Sequence, residues 1–192
     1  MKIVVLASGA GSLTTALIEA ERAGRLQAHL VAVGADRPAP VLAIARDAGL
    51  ATFQVNLADQ PSRAAWDEAL SQAVGLFQPD LVVSAGFMRL LGPAFLARWG
   101  QVTINTHPAL LPAFPGAHAV RDALAAGVPV TGCTVHRVTA EMDAGPILAQ
   151  RQIPVNPEDD EATLHERIKK EERILLVEVI NQIAAGTIVL AP

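Results

Sequence analysis

Short apolar runs alternate with helically spaced apolar positions through the first half of the chain. Residues 2–7 form an apolar run ended by Ser8-Gly9, the pattern of a strand buried on both faces. Residues 12–23 place Leu13, Ala16, Leu17 and Ala20 on one helical face, and Gly24 closes the pattern. A strand over 29–34, a helix over 40–48 stopped by Gly49, and a brief strand over 52–55 follow. The next helix, 62–77, carries Ala65, Ala69, Leu70, Ala73 and Phe77 on one side and ends before Pro79. Residues 80–86 read as a buried strand, 93–99 as a short helix opened by Pro93, and 102–105 as another strand. This alternation predicts an α/β chain in three layers: a mostly parallel twisted sheet, helices on both faces and right-handed crossovers.

The second half changes character. Residues 118–126 look helical, 130–138 and 147–155 look like an antiparallel pair of strands, and Pro157 introduces an acidic run. A long helix over 163–185 presents Leu164, Ile168, Leu175, Val179 and Ile183 on its apolar side. Neither repeats nor a long linker interrupt the 192 residues, so a single domain over 1–192 is expected.

Composition narrows the partners. The formal charge is −4 and the basic residues are scattered, which argues against a nucleic-acid partner. The densest basic cluster, Arg167 to Lys170, reads as one exposed helix face. Cys133 is the only cysteine, so an internal disulfide and a cysteine-based metal site are both ruled out; it reads as a small buried hydrophobe. The N-terminal apolar run is too short for a signal peptide, and no window has the length of a membrane span. A cytoplasmic protein without membrane association is expected, monomeric or homodimeric.

Ligands of open α/β sheets lie beyond the carboxyl ends of the strands. Three segments fall there: SGAGS (8–12), SAGFMRLLG (84–92) and NTHPALLP (105–112). The first is a glycine-rich turn entering a helix, suited to a single phosphate; it lacks the third glycine of a dinucleotide turn and the Gly-Lys-Ser/Thr of a P-loop. Asn105 and His107 share strand parity, so both side chains can face one way: an amide to donate to an oxyanion and an imidazole to carry a proton. The alternative for this His-Pro pair is a structural loop. Asp143, in MDAG between two strands, is either a turn-former or a carboxylate that reaches His107. His118 is a weaker member of this neighbourhood. His136 and His165 are expected to be exposed, and His29 to sit at a strand edge. No histidine spacing supports a metal site, and no nucleophile elbow is present.

The segments VVLASGAGS, SAGFMRLL, NTHPALLPAFPG and GCTVHRVTAEMDAGPIL, in this order and spacing, resemble phosphoribosylglycinamide formyltransferase of purine biosynthesis over almost the whole chain. The resemblance implies a Rossmann-like formyltransferase fold and N10-formyltetrahydrofolate as co-substrate, with no metal. It also implies 5-phosphoribosylglycinamide as the small-molecule acceptor. It makes Asn105, His107 and Asp143 the catalytic trio. Gly11, Ser12, Leu13 and Glu172 would hold the ribonucleotide; Arg63, Met88, Arg89, Leu90, Leu91, Val138, Ala140 and Glu141 would hold the folate. Two departures stand out: Leu13 replaces the usual Asn after Ser12, and Lys169 stands where a polar amide is expected. Formyltetrahydrofolate deformylase shares the core but carries a regulatory domain before the first strand. Methionyl-tRNA formyltransferase adds a basic C-terminal domain. A catalytically silent nucleotide-binding module is a further alternative.

Overall fold

In the computed structural model, which describes residues 1–190, the apolar runs become seven strands of one sheet. They are β1 (Lys2–Leu6), β2 (His29–Ala35), β3 (Ala51–Gln54), β4 (Leu81–Ser84), β5 (Thr103–His107), β6 (Val130–Arg137) and β7 (Ile147–Pro154). Their order is β3-β2-β1-β4-β5-β6-β7. The first five run parallel; β6 is antiparallel to β5, and β7 to β6. The helices are α1 (Ser12–Arg22), α2 (Pro40–Asp47), α3 (Arg63–Gly75), α4 (Pro93–Trp99), α5 (Ala119–Ala125) and α6 (Glu161–Ala184). Two 3₁₀ turns, Leu57–Asp59 and Gly100–Val102, went unforeseen in the sequence because three residues are too few to establish a period.

Strand alternation sends successive residues of β1 to opposite faces. Ile3 and Val5 join Leu81, Val83, Ile104, Cys133 and Val135 beneath α1, α2 and α6. Val4 and Leu6 join Val82, Trp66, Leu70, Phe95 and Trp99 beneath α3 and α4. Both faces are therefore covered, which is why these strands read as continuous apolar runs. The chain winds outward from β1 to β3 and then returns to β1's other side with β4. That reversal opens a crevice at the carboxyl ends of β1 and β4.

The element ends are set by particular side chains. Ser62 Oγ accepts from Ala65 N at 3.1 Å and starts α3. Asp160 and Thr163 form a reciprocal cap at the start of α6. The buried Asp67 of α3 accepts from Gly92 N at 2.6 Å and Phe95 N at 3.0 Å, capping α4 from a neighbouring helix. Cys133 is fully buried, and burial pushes its thiol up to about 12, as expected of an inert core residue.

The basic cluster on α6 departs from expectation. Ile168 is fully buried, Arg167 donates to Asp159 at 2.6 Å and Lys169 donates to Glu166 at 2.8 Å; only Lys170 is left open to solvent. A four-residue run must turn through more than one helix face, so it could not all point outward.

Candidate active site

β5 extends two residues past the expected end at 105, because Asn105 to His107 pair with β6. Asn105 and His107 therefore stay on the strand and face the same side, away from Ile104 and Thr106. His107 is 4% exposed. Its Nε2 lies 2.8 Å from the Phe114 carbonyl oxygen and its Nδ1 lies 3.4 Å from Asp143 Oδ2. Both neighbours can only accept. The doubly protonated ring makes both contacts, whereas either neutral tautomer makes one.

Asp143 reaches this point from a left-handed backbone, φ 54°, in the turn between β6 and β7. Its Oδ2 also accepts from Gly116 N at 2.8 Å, so one carboxylate joins the β6–β7 turn, His107 and the loop after β5. Phe114 in that loop has φ 52°, an uncommon conformation for a bulky residue. The loop is held in place from β6 and β7. Thr134 Oγ1 accepts from Leu111 N and donates to Ala109 O, while Gln150 Nε2 donates to Leu111 O.

His136 is the residue misread in the sequence. It was expected at the surface, yet it is 3% exposed. The antiparallel register places it opposite Asn105, on the same face. Its Nδ1 is 3.0 Å from the Arg137 carbonyl, so that nitrogen carries the hydrogen. Burial, outweighing the nearby Asp143 charge, holds the ring below its ordinary pKa. The bare Nε2 then accepts from Asn105 Nδ2 at 3.2 Å, which fixes the amide's orientation. A histidine amid the apolar β6 run was the available signal; the pairing partner was not. His165 is half-buried rather than exposed, and His29 is exposed at the start of β2. His118 stays on the surface ahead of α5.

The glycine turn lies at the start of α1. Gly11 is the N-cap with φ 80°, and an added Cβ would stand 2.5 Å from Val41 Cγ2. Conformation and space both demand glycine there. No side chain caps α1 and no acidic residue occupies its first turn, which leaves its first N–H groups available to an anion. Ser12 is exposed, whereas Leu13 is 8% exposed and buried in the core, so Leu13 can offer a ligand only its main chain.

Glu172 belongs to α6 and points at the face of the sheet opposite His107. It is 6% exposed, and burial raises its carboxyl to about 7 against the Thr106 hydroxyl and the charges of Lys169 and Arg173. Thr106 is the residue between Asn105 and His107, so the acid and the trio approach one strand end from two faces.

Residues 88–91 line the other flank. Met88 is 72% exposed and Leu90 59%, whereas Leu91 is buried. Arg63 stacks over the Trp66 ring at 4.4 Å and its Nη2 donates to the Leu90 carbonyl. Val138 and Ala140 border a shallow cleft of about 210 Å³ with Leu96 and Gly100, and Glu141 is exposed beside them. A larger cleft of about 420 Å³ between α1 and α6, lined by Glu19, Arg25 and Arg173, contains none of the candidate site residues.

Residues 1–180 match the family described as formyl transferase. The phosphoribosylglycinamide formyltransferase of Mycobacterium tuberculosis (strain H37Rv) is 58% identical over 183 residues, covering 95% of this chain and 85% of that protein. The chain belongs to the phosphoribosylglycinamide formyltransferase family. Its member from Escherichia coli (strain K12) is 39% identical, covering 97% of this chain and 88% of that one. Among solved formyltransferase structures, glycinamide ribonucleotide transformylase 1 from Symbiobacterium toebii superimposes with a TM-score of 0.94. It is 42% identical and covers 97% of this chain and 88% of that chain. The formyltransferase fold thus includes the antiparallel β5-β6-β7 segment that carries the trio.

Proposed function

We propose that this protein transfers the formyl group of N10-formyltetrahydrofolate to the amine of 5-phosphoribosylglycinamide, giving formylglycinamide ribonucleotide and tetrahydrofolate. It does so as a single domain in cytoplasmic purine biosynthesis. The observation that carries this reading is the convergence of Asn105, His107 and Asp143 at one strand end.

The substrate amine attacks the formyl carbon, and the carbonyl oxygen takes up the displaced electron pair. Asn105 Nδ2, with one hydrogen committed to His136, directs the other at this oxyanion. His107 Nε2–H supplies a second donor once the formyl oxygen replaces the Phe114 carbonyl as its acceptor. Each such donor is typically worth about 3–4 kcal/mol, or roughly 10²–10³ in rate. His107 Nε2 gives its proton to the leaving N10 and then recovers one from the attacking nitrogen; the C–N10 bond breaks and the carbonyl re-forms. Asp143 faces Nδ1 and keeps the imidazole oriented.

For the acceptor, the main-chain N–H groups of Gly11, Ser12 and Leu13 receive the phosphate, and Glu172 contacts the ribonucleotide from beneath. For the donor, Met88 and Leu90 offer apolar surface, Leu91 its main chain, and Arg63 and Arg89 positive charge. Val138, Ala140 and Glu141 close over the same ligand.

Incubation with N10-formyltetrahydrofolate, with and without 5-phosphoribosylglycinamide, tests the assignment by following tetrahydrofolate release. Release that requires the amine is the expected result. Release without it would identify a deformylase, and no release in either arm would leave a binding module.

A further inference from the structure

Asp36 lies one residue beyond β2, at the carboxyl edge of the sheet, with its side chain wholly shielded from solvent. Its Oδ2 accepts from Arg37 Nε at 3.0 Å, Arg37 Nη2 at 2.7 Å and Arg89 Nε at 2.8 Å. Its Oδ1 is buried without a hydrogen-bond partner among the described residues. A buried carboxylate with one orphan oxygen is a costly way to finish a strand, and an apolar side chain would serve the core better. What the carboxylate achieves, and an apolar group cannot, is to draw in a guanidinium from 53 positions away.

That guanidinium sits between the exposed Met88 and Leu90. Three distant side chains hold three successive residues here. Ser8 Oγ accepts from Met88 N at 2.8 Å, Asp36 pairs with Arg89, and Arg63 donates to the Leu90 carbonyl. Burial alone would push the Asp36 carboxyl up. Arg37 first, then Ser8 and Arg89, outweigh it and hold the group below its ordinary value, so the ion pair persists at neutral pH.

We infer that Asp36 is a positioning residue for the folate: by fixing Arg89 it sets the course of residues 88–91, and so governs folate affinity rather than the rate of transfer. The inference rests on the reaction proposed above. Asp36 makes no contact with Asn105, His107 or Asp143, so nothing routes it into the chemical step.

Steady-state kinetics on the full chain test this with Asp36→Asn, Arg89→Met, Arg37→Ala and the Asp36/Arg89 double variant. Asp36→Asn should raise KM for N10-formyltetrahydrofolate about tenfold or more, the scale of one lost charged hydrogen bond. Its kcat and its KM for 5-phosphoribosylglycinamide should stay within about threefold. Arg89→Met should reproduce this pattern, and the double variant should be no worse than the worse single one, since both break one contact. Arg37→Ala should leave all constants within about threefold. Amide hydrogen exchange, read without substrates, should accelerate at Met88 to Leu90 in Asp36→Asn.

A folate KM unchanged in Asp36→Asn overturns the inference, as does an equal rise in both KM values or a loss confined to kcat. Should Asp36→Asn fail to fold, amide exchange at Met88 to Leu90 in Arg89→Met, read without substrates, carries the comparison, and no acceleration there overturns the inference. A wild-type chain that performs no transfer defeats the functional reading instead. Exchange at Met88 to Leu90 then decides the positioning role alone, and no acceleration refutes it.

Discussion

In the proposed reaction, His107 acts through what its two ring nitrogens face. Nε2–H faces a main-chain carbonyl and Nδ1 faces a carboxylate, so the ring is held as a proton donor at a water-poor strand end. His107→Ala and Asn105→Ala should each lower kcat by roughly 10²–10³ with the fold intact, measured by turnover beside circular dichroism. Asp143→Asn should also lose turnover by orders of magnitude, because it removes the carboxylate that faces His107 Nδ1 and holds Gly116 N. A near-normal rate in any of the three removes that residue from the mechanism. His136 acts at one remove. His136→Phe keeps an aromatic ring but deletes the acceptor that aims Asn105, so kcat should fall about tenfold or more with little change in either KM. Parity along β5 made the Asn105–His107 pair legible in the sequence. His136 was not, since its exposure depended on which strand lay beside it.

Among the elements, the glycine turn is set by the close approach of Gly11 to Val41, and the start of α4 by the buried Asp67. Gly11→Ala must place a Cβ against Val41 and hold a left-handed backbone. The start of α1 should shift, raising KM for the phosphate-bearing substrate much more than that for the folate in the same assay. Asp67→Ala leaves two N–H groups of α4 without an acceptor, one of them the amide of Gly92. It should cost about 1–3 kcal/mol in denaturant unfolding. Helix and strand types followed from apolar periodicity, and the observed ends fall within a few residues of those expected. The cap on α4 could not be foreseen, because its acceptor and donors sit 25 and 28 positions apart and meet only through helix packing. Likewise Leu13, in a turn suited to phosphate, is a core residue in the fold; the substitution at this position spares the N–H groups and changes only what lies beneath them.

For the molecule as a whole, Glu172 is a charge that the fold disfavours. Its folded carboxyl titrates near 7, against an ordinary value of 4.5. Between those values the folded chain holds a proton that the unfolded chain has released. Stability therefore falls as pH rises through this window, and the cost is complete above about 7. Glu172→Gln should remove the cost: above pH 7 its melting temperature should exceed the wild type's by several degrees, for a difference on the order of 2–3 kcal/mol. Below pH 4.5 the two should converge. A melting-temperature difference that does not vary from pH 4 to 8 would refute this. The same variant should lose ribonucleotide affinity, the trade expected of a buried acid kept for binding.

What the sequence determined by itself was local and periodic. Alternation and helical spacing predicted the layers, and glycine and proline placed the turns. Residue types ordered in four segments were sufficient for a family resemblance. What only the tertiary structure decided was which distant groups meet. The 36 positions between His107 and Asp143 close to 3.4 Å because β6 folds back along β5 and its turn projects over the strand end. Asp36 finds Arg89 only because β2 and β4 flank β1 at the same edge. Periodicity is set by each residue's own backbone geometry and side-chain solvation, which the chain carries locally. Contact across a sheet is set by register and chain reversal, which exist only once the strands have paired.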